Sequence, residues 1–127
     1  MLYITIHRMT YSNGFSEPKL FLKLLIESKY EISIGRSEEN IIRTPHVMSM
    51  VSRNHGTIII EDATLGTRMI YRDKNSTYGT YHIPQRDIKR AIHIKDKQIP
   101  INSGDILLIK EERENTGIAF MIVLESS

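Results

Sequence analysis

The sequence contains no cysteine and no tryptophan, and only four prolines and seven glycines occur among its 127 residues. The missing cysteines exclude a disulfide framework, a thiolate zinc site and a cysteine nucleophile. No apolar run approaches the roughly 18 residues of a membrane-spanning helix, and the first residues lack the basic and apolar segments of a signal peptide. We therefore expect an intracellular protein, nuclear or cytoplasmic, without a membrane partner.

A strong excess of charge is also missing. The sequence has seventeen Lys and Arg residues and fifteen Asp and Glu residues, which gives a net charge of +2. A charge so close to zero does not by itself predict binding to nucleic acid or to an anionic membrane. The hydrophobic share of 40% and the charged share of 25% are typical of globular proteins. The length predicts one domain over residues 1–127.

Isoleucine is abundant, with 21 copies, and apolar residues mostly alternate with polar ones. β-Branched residues pack well on a pleated sheet, and a period of two indicates half-buried strands. This alternation occurs in residues 2–7 and 31–34, large apolar residues occupy every second position in residues 118–124, and no segment keeps helical spacing over ten residues. Turn signals separate the short apolar runs, so the pattern predicts an all-β sandwich or barrel. We expect residues 37–43 to form a turn or a loop.

Three predicted loops carry most of the hydrogen-bond donors that lie near strand ends. They occupy residues 34–37, 50–55 and 73–80 and include Arg36, Ser52, Arg53 and Thr77. Loops at one end of a sandwich can present such residues on a rigid frame. A guanidinium fork, hydroxyls and turn amides suit a dianion with several acceptor oxygens, and a phosphorylated side chain is one. These residues alone therefore suggest a phosphate site.

The order of the motifs resembles that of the forkhead-associated (FHA) domain. Gly-Arg ends a strand, Ser-x-x-His precedes the next strand, Ser-Thr-x-Gly-Thr follows later, and Gly-Asp comes before an apolar strand. The resemblance covers about residues 30–124, and the first two strands also fit. It implies a β-sandwich of about eleven mostly antiparallel strands, with ligand loops at one end. It also implies a module that binds phosphothreonine in proteins or peptides.

The resemblance also implies roles for individual residues. Arg36 and Ser52 look like the direct phosphate ligands, and Arg53 and Thr77 look like further contacts to the phosphate or the peptide. Three motif residues look structural, namely Gly35, His55 and Gly79. Met50 occupies the position that tends to face the third residue after the phosphothreonine.

One residue and one segment depart from the family pattern. Tyr78 stands where the family usually has an asparagine that both donates to and accepts from the peptide backbone. A phenol cannot reproduce both bonds in that geometry, so we expect weaker binding of the peptide backbone or a different register of the peptide in the site. Residues 84–97 extend a connection that is usually short, and we expect them to form a longer hairpin built on Ile88, Ile92 and Ile94.

Other functions remain open at this stage. A sandwich with a lapsed phosphate site, acting as a phosphorylation-independent interaction or dimerisation domain, is the first alternative. An oligonucleotide-binding barrel could use the basic stretch 86–97, but that stretch lacks the stacking aromatics of single-strand binders, so we do not expect direct nucleic-acid binding. No catalytic residues, metal ligands or cofactor site emerge, so we do not expect an enzyme. The module can be part of a larger chain. Its sequence does not identify the partner protein.

Overall fold

A computed structural model describes residues 1–63 and 66–126 of the chain. The described residues form eleven strands and two short 3₁₀ turns and contain no α-helix. The strands are β1 Leu2–Ser12, β2 Lys19–Ile26, β3 Lys29–Gly35, β4 Ile42–Arg43, β5 Gly56–Ala63, β6 Gly66–Asp73, β7 Thr80–Ile83, β8 Ile92–Ile94, β9 Gln98–Ile101, β10 Ile106–Glu111 and β11 Thr116–Ser126. The prediction of an all-β fold with about eleven strands is confirmed.

The strands form two sheets. The six-stranded sheet has the order β2-β1-β11-β10-β7-β8, and the five-stranded sheet has the order β4-β3-β5-β6-β9. Every described pair is antiparallel except β3 with β4. The core between the sheets is rich in isoleucine, and its isoleucines on β3 and β5 are fully buried. Such side chains fill a pleated interface efficiently because their first torsion angle is already restricted.

The six-stranded sheet is buried on both faces near its centre. On β11, Ile118, Phe120 and Ile122 belong to the core between the sheets, whereas Ala119 and Met121 belong to a second cluster. Because successive side chains on a strand point to opposite faces, the second cluster lies on the outer face, where Phe15 and Ala91 pack against it. This double burial explains why the β10 and β11 sequences read as nearly continuous apolar runs.

Two local expectations need correction. Residues 37–43 are not wholly a turn, because Ile42–Arg43 forms β4, and Ile42 is fully buried. Residues 84–97 contain two 3₁₀ turns and β8, and β8 pairs with β7 as one hairpin arm. Ile94 is buried, but Ile88 is 47% exposed and Ile92 is 58% exposed. The segment is therefore not built on all three isoleucines.

Candidate functional site

Strand register brings the three predicted loops to one end of the five-stranded sheet. Gly56, at the start of β5, pairs with Ile34 near the end of β3 and with Asp73 at the end of β6. Gly35 pairs with Arg43 in the short parallel contact to β4. The loop after β3, the loop before β5 and the loop after β6 therefore all leave the sheet at the same end of its strands.

Gly35 allows two of these loops to lie in direct contact. A Cβ at this position would overlap the carbonyl oxygen of Arg53 and the carboxamide nitrogen of Asn40. Backbone hydrogen bonds join the two loops, from the Arg36 N–H to the Ser52 carbonyl at 3.1 Å and from the Ser37 N–H to the Arg53 carbonyl at 3.2 Å. A side chain here would push apart the two loops that carry the candidate phosphate ligands.

Asn40 stabilises this contact between the two loops, and its role was not predicted from the sequence. Its carboxamide nitrogen donates to the Arg53 carbonyl at 2.7 Å, and it also lies within hydrogen-bond distance of the Ser37 carbonyl and hydroxyl oxygens. The residue is buried, so these bonds replace water that it would otherwise need. Nothing in the local sequence separates this asparagine from an ordinary turn residue, because its partner is distant in sequence.

The Arg36 side chain is held by one nitrogen and leaves the others available. Its Nε–H donates to the backbone carbonyl of Val51, and Val51 is fully buried. Among the described residues, the two terminal nitrogens have no hydrogen-bond partner. A tethered guanidinium loses less conformational entropy when it binds an anion than a free one does. The half-buried Arg36 fork is thus pre-organised for an acceptor such as a phosphate oxygen.

Ser52 connects the second loop to the third. Its hydroxyl oxygen accepts the backbone N–H of Thr77 at 3.0 Å. The hydroxyl proton has no acceptor among the described residues, so it remains available for a ligand. A serine hydroxyl has one donor and two acceptor positions, and the Thr77 amide occupies one of the latter. The half-buried Ser52 can therefore donate to an anion without losing its link to Thr77.

The imidazole of His55 lies beneath Ser52 and has a defined tautomer. Its Nδ1 accepts the Ser52 N–H at 3.0 Å, which leaves the ring proton on Nε2. That Nε2–H donates to the Gly79 carbonyl at 2.9 Å. Because the ring is fully buried, desolvation lowers the pKa of His55, although the Gly79 hydrogen bond and Asp73 oppose the shift. The neutral ring fixes the Ser52 loop relative to the Gly79 loop.

Asp73 is the centre of a buried polar network under the third loop. Its carboxylate accepts the hydroxyl of Ser76 at 2.6 Å and the hydroxyl of Thr80 at 3.3 Å. It also accepts the backbone N–H groups of Ser76 and Asp96. Thr80 in turn lies 2.8 Å from the phenol oxygen of the buried Tyr71. A buried carboxylate needs several donors to offset desolvation, and here these donors shape the loop.

The segment before β9 supports the third loop from the other side. His93 Nε2 donates to the Tyr78 carbonyl at 2.7 Å, and Lys95 Nζ donates to the Thr77 carbonyl at 3.3 Å. Gly79 has a φ of +74°, and a Cβ there would overlap the His93 ring. This position requires glycine both for its left-handed backbone and for its close neighbour.

The remaining predicted residues occupy different places around the site. Arg53 and Thr77 are exposed, and neither the guanidinium of Arg53 nor the hydroxyl of Thr77 has a described partner. Tyr78 is 41% exposed, and its phenol has no described hydrogen bond either. Met50 is half-buried and packs against the core between the sheets. Hydrogen bonds thus join Arg36, Ser52 and Thr77, whereas the side chains of Arg53 and Tyr78 have no described hydrogen-bond partner.

The charges around these loops favour an anion. Arg36, Arg53 and Lys95 contribute positive charge, whereas the Asp73 carboxylate is buried and occupied by donors and the Glu38 carboxylate is 85% exposed to solvent. Among residues 1–63 and 66–126, no group of three or more His, Asp or Glu side chains could hold a metal ion. No helix in this part of the chain is long and apolar enough to span a membrane.

Comparisons with known proteins identify the family and agree with the fold. The FHA domain family model matches residues 32–110. Full-length yeast Pml1p has a similar structure, with a TM-score of 0.65 and 16% identity, over 96% of this chain and 83% of that chain. The N-terminal FHA domain of S. cerevisiae Rad53p, solved in complex with a phosphothreonine peptide, gives 0.61 and 14%, over 95% of this chain and 94% of that chain.

An engineered FHA domain solved with a Myc-pTBD peptide gives a TM-score of 0.60 at 16% identity, over 96% of this chain and 93% of that chain. No curated protein matches the sequence. At such low identities the structural likenesses show the fold alone, whereas the family model spans more than half of the chain. This chain belongs to the FHA domain family.

Proposed function

We propose that this chain is a module that binds phosphothreonine in protein or peptide partners and that it performs no catalysis itself. FHA domains are protein-interaction modules that generally bind phosphopeptides. The proposed unit is a single domain over residues 1–127, acting inside the cell in the nucleus or the cytoplasm. Arg36 and Ser52 hold the phosphate, and Arg53 and Thr77 supply further donors.

The observation that carries this proposal is the state of the donors on Arg36 and Ser52. Both side chains are fixed by one internal hydrogen bond, to Val51 and from Thr77 respectively, and both keep a free donor. Pre-organised donors bind an anion with less ordering entropy. Hydrogen bonds to a charged group contribute about 1.5–3 kcal/mol each, so losing Arg36 is expected to weaken binding more than about tenfold.

A preference for phosphothreonine over phosphoserine follows from the γ-methyl group. Burying one such group is worth about 0.8 kcal/mol, or roughly fourfold in affinity. The β-branched side chain also has fewer rotamers to lose on binding. Tyr78 works against tight binding, because its phenol cannot both donate to and accept from the peptide backbone as a carboxamide would. This is also the feature that favours the alternative, a phosphorylation-independent interaction or dimerisation domain.

An oriented phosphothreonine peptide library tests the proposal, with matched phosphoserine and unphosphorylated pools. Wild-type protein, Arg36→Ala and Arg36→Lys are compared by pool capture and then by titration of the selected peptide. Arg68→Ala is the charge-matched control, because Arg68 lies near the end of β6 away from Asp73. Binding that needs phosphothreonine and Arg36 supports the proposal. Equal capture of phosphorylated and unphosphorylated pools would instead favour the phosphorylation-independent domain.

A further inference from the structure

A second cationic feature borders the proposed phosphate site. Arg36, Ser37, Glu38, His46 and Arg53 line a cleft of about 270 Å³. A water molecule takes about 30 Å³ of liquid, so this cleft holds roughly nine water volumes. It therefore has room for a carboxylate side chain or for another phosphate group.

The cleft lies beside the proposed phosphate position rather than over it. Arg36 and Arg53 belong to its wall, but Ser52 and Thr77, which meet through the 3.0 Å hydrogen bond described above, are not among the described lining residues. A phosphate held between Arg36 and Ser52 would consequently leave the far side of the cleft open. The proposed function does not use this remaining space.

Arg43 strengthens the positive charge of that far side. Its Nη2 donates to His46 Nε2 at 3.3 Å, and this bond places the neutral ring's proton on Nδ1, where it can serve as a donor. The same Nη2 lies 4.0 Å from a carboxylate oxygen of Glu38, which is 85% exposed. The β3–β4 pairing fixes the Arg43 backbone beside Gly35. Two arginines and a histidine therefore line the cleft, and Arg43 lies next to that histidine and to the largely solvated carboxylate of Glu38.

We infer that this cleft binds a second anionic group on the same peptide, presented by an acidic residue or by a second phosphorylated residue. The inference rests on the proposed function, because the first phosphate delivers the peptide to Arg36. Arg43 and His46 contact the second group, and Glu38 opposes it by like-charge repulsion. The expected partners are therefore protein segments in which another negatively charged residue accompanies the phosphothreonine.

The test titrates labelled peptides that contain one phosphothreonine in an alanine-rich background. A second anion is moved through the five positions on either side, once as aspartate and once as phosphoserine. For each protein variant, the readout is the ratio of the Kd for the singly anionic peptide to the Kd for the doubly anionic peptide. The variants are Arg43→Ala, His46→Ala and Glu38→Gln. The charge-matched control is Arg68→Ala, because Arg68 lies at the end of β6 that is away from Asp73 and the ligand loops.

At one or two positions, the second anion is expected to tighten wild-type binding about threefold to tenfold, as suits a partly exposed charge pair. The ratio falls towards one in Arg43→Ala and His46→Ala, rises in Glu38→Gln and stays the same in Arg68→Ala. Enhancement by phosphoserine alone identifies a second phosphate as the source, and enhancement by both identifies a general acidic requirement.

Three results would overturn the inference, and only the third of them also overturns the proposed function. If singly phosphorylated peptide binds but no second anion improves binding, or if the improvement survives both Arg43→Ala and His46→Ala, the second subsite is wrong while the phosphate site stands. If wild-type protein binds no phosphopeptide at all, the proposed function fails, and the second subsite fails with it.

Discussion

The Ser52 hydroxyl oxygen accepts the backbone N–H of Thr77 at 3.0 Å, and this bond ties together two loops that are 25 residues apart. The same hydroxyl still has its proton to donate. One atom therefore both fixes the shape of the site and offers a donor to the ligand. Its loss is expected to affect the loop arrangement and the phosphate affinity together.

Ser52→Ala should weaken phosphothreonine peptide binding at least about tenfold, because it removes a hydrogen bond to a charged group. It should also lower the free energy of unfolding by about 1 kcal/mol through the lost Thr77 contact. Thr77→Val is the matched variant, since it keeps the backbone N–H that Ser52 accepts and removes only a hydroxyl. Calorimetric titration and urea denaturation measure both effects. A Ser52→Ala protein that binds the peptide as tightly as the wild-type protein, or that is as stable as Thr77→Val, would contradict the assigned role.

The buried His55 ring should make stability depend on pH. The unfolded ring takes up a proton near pH 6.5, whereas desolvation keeps the folded ring neutral to lower pH. Between these two pKa values the unfolded chain binds more protons, so the free energy of unfolding falls as the pH drops below about 6.5, by up to about 1.4 kcal/mol per pH unit. Above that pH, this contribution is fully present.

Urea denaturation between pH 5 and pH 8, compared with His55→Gln, isolates this dependence from that of the other histidines. If the variant does not fold, ¹⁵N imidazole shifts of the wild-type protein still report the state of the ring. They should show a protonated Nε2 and an unprotonated Nδ1 well below pH 6.5. A ring that titrates with an ordinary pKa would disprove the account of His55.

Gly35→Ala should disrupt the contact between the first two loops. The added Cβ would overlap the Arg53 carbonyl, which is backbone and cannot rotate away. Overpacking of this kind destabilises by about 1–3 kcal/mol. Gly14→Ala is the control, because a Cβ at Gly14 meets nothing within 4 Å. Thermal unfolding should separate the two variants clearly, and equal melting temperatures would show that the loops do not need this close approach.

Tyr78→Asn should improve phosphopeptide binding. A carboxamide can both donate to and accept from a peptide backbone, and one net hydrogen bond of about 1 kcal/mol corresponds to about fivefold in affinity. Tyr78→Ala removes the ring without adding a carboxamide and should give no such gain. Because Tyr78 is 41% exposed and its phenol has no described hydrogen bond, both variants should fold normally. Equal affinities for the two variants would show that position 78 does not contact the peptide backbone.

The sequence predicted the fold largely through its side-chain periodicity. Alternation in β1, β3 and β11 marked strands, and glycine-containing turns marked their ends. A half-exposed strand would have polar residues at the positions of Ala119 and Met121, so the interpretation of β11 as half-buried missed that the six-stranded sheet is buried on both faces. The two-residue β4 is too short for any periodic signal, and it is stabilised by its pairing with β3 and by the burial of Ile42 in the core.

The candidate site was predictable as a set of residues but not as a network. Arg36, Ser52 and Thr77 could be named from motif order, whereas Asn40 could not, because its main partner is a backbone carbonyl 13 residues away. The same limit applies to the support of the Tyr78 carbonyl by His93. Such contacts depend on how loops meet in space, and local composition contains no signal for that.

The most direct test of the proposed phosphate site is an amide NMR titration of the wild-type protein with one phosphothreonine peptide and its unphosphorylated form. The account predicts that only the phosphorylated peptide shifts resonances, that the largest shifts fall on Arg36, Ser52 and Thr77, and that Arg36→Ala abolishes them. Shifts that appear equally with the unphosphorylated peptide, or that cluster on another face of the sandwich, would contradict it.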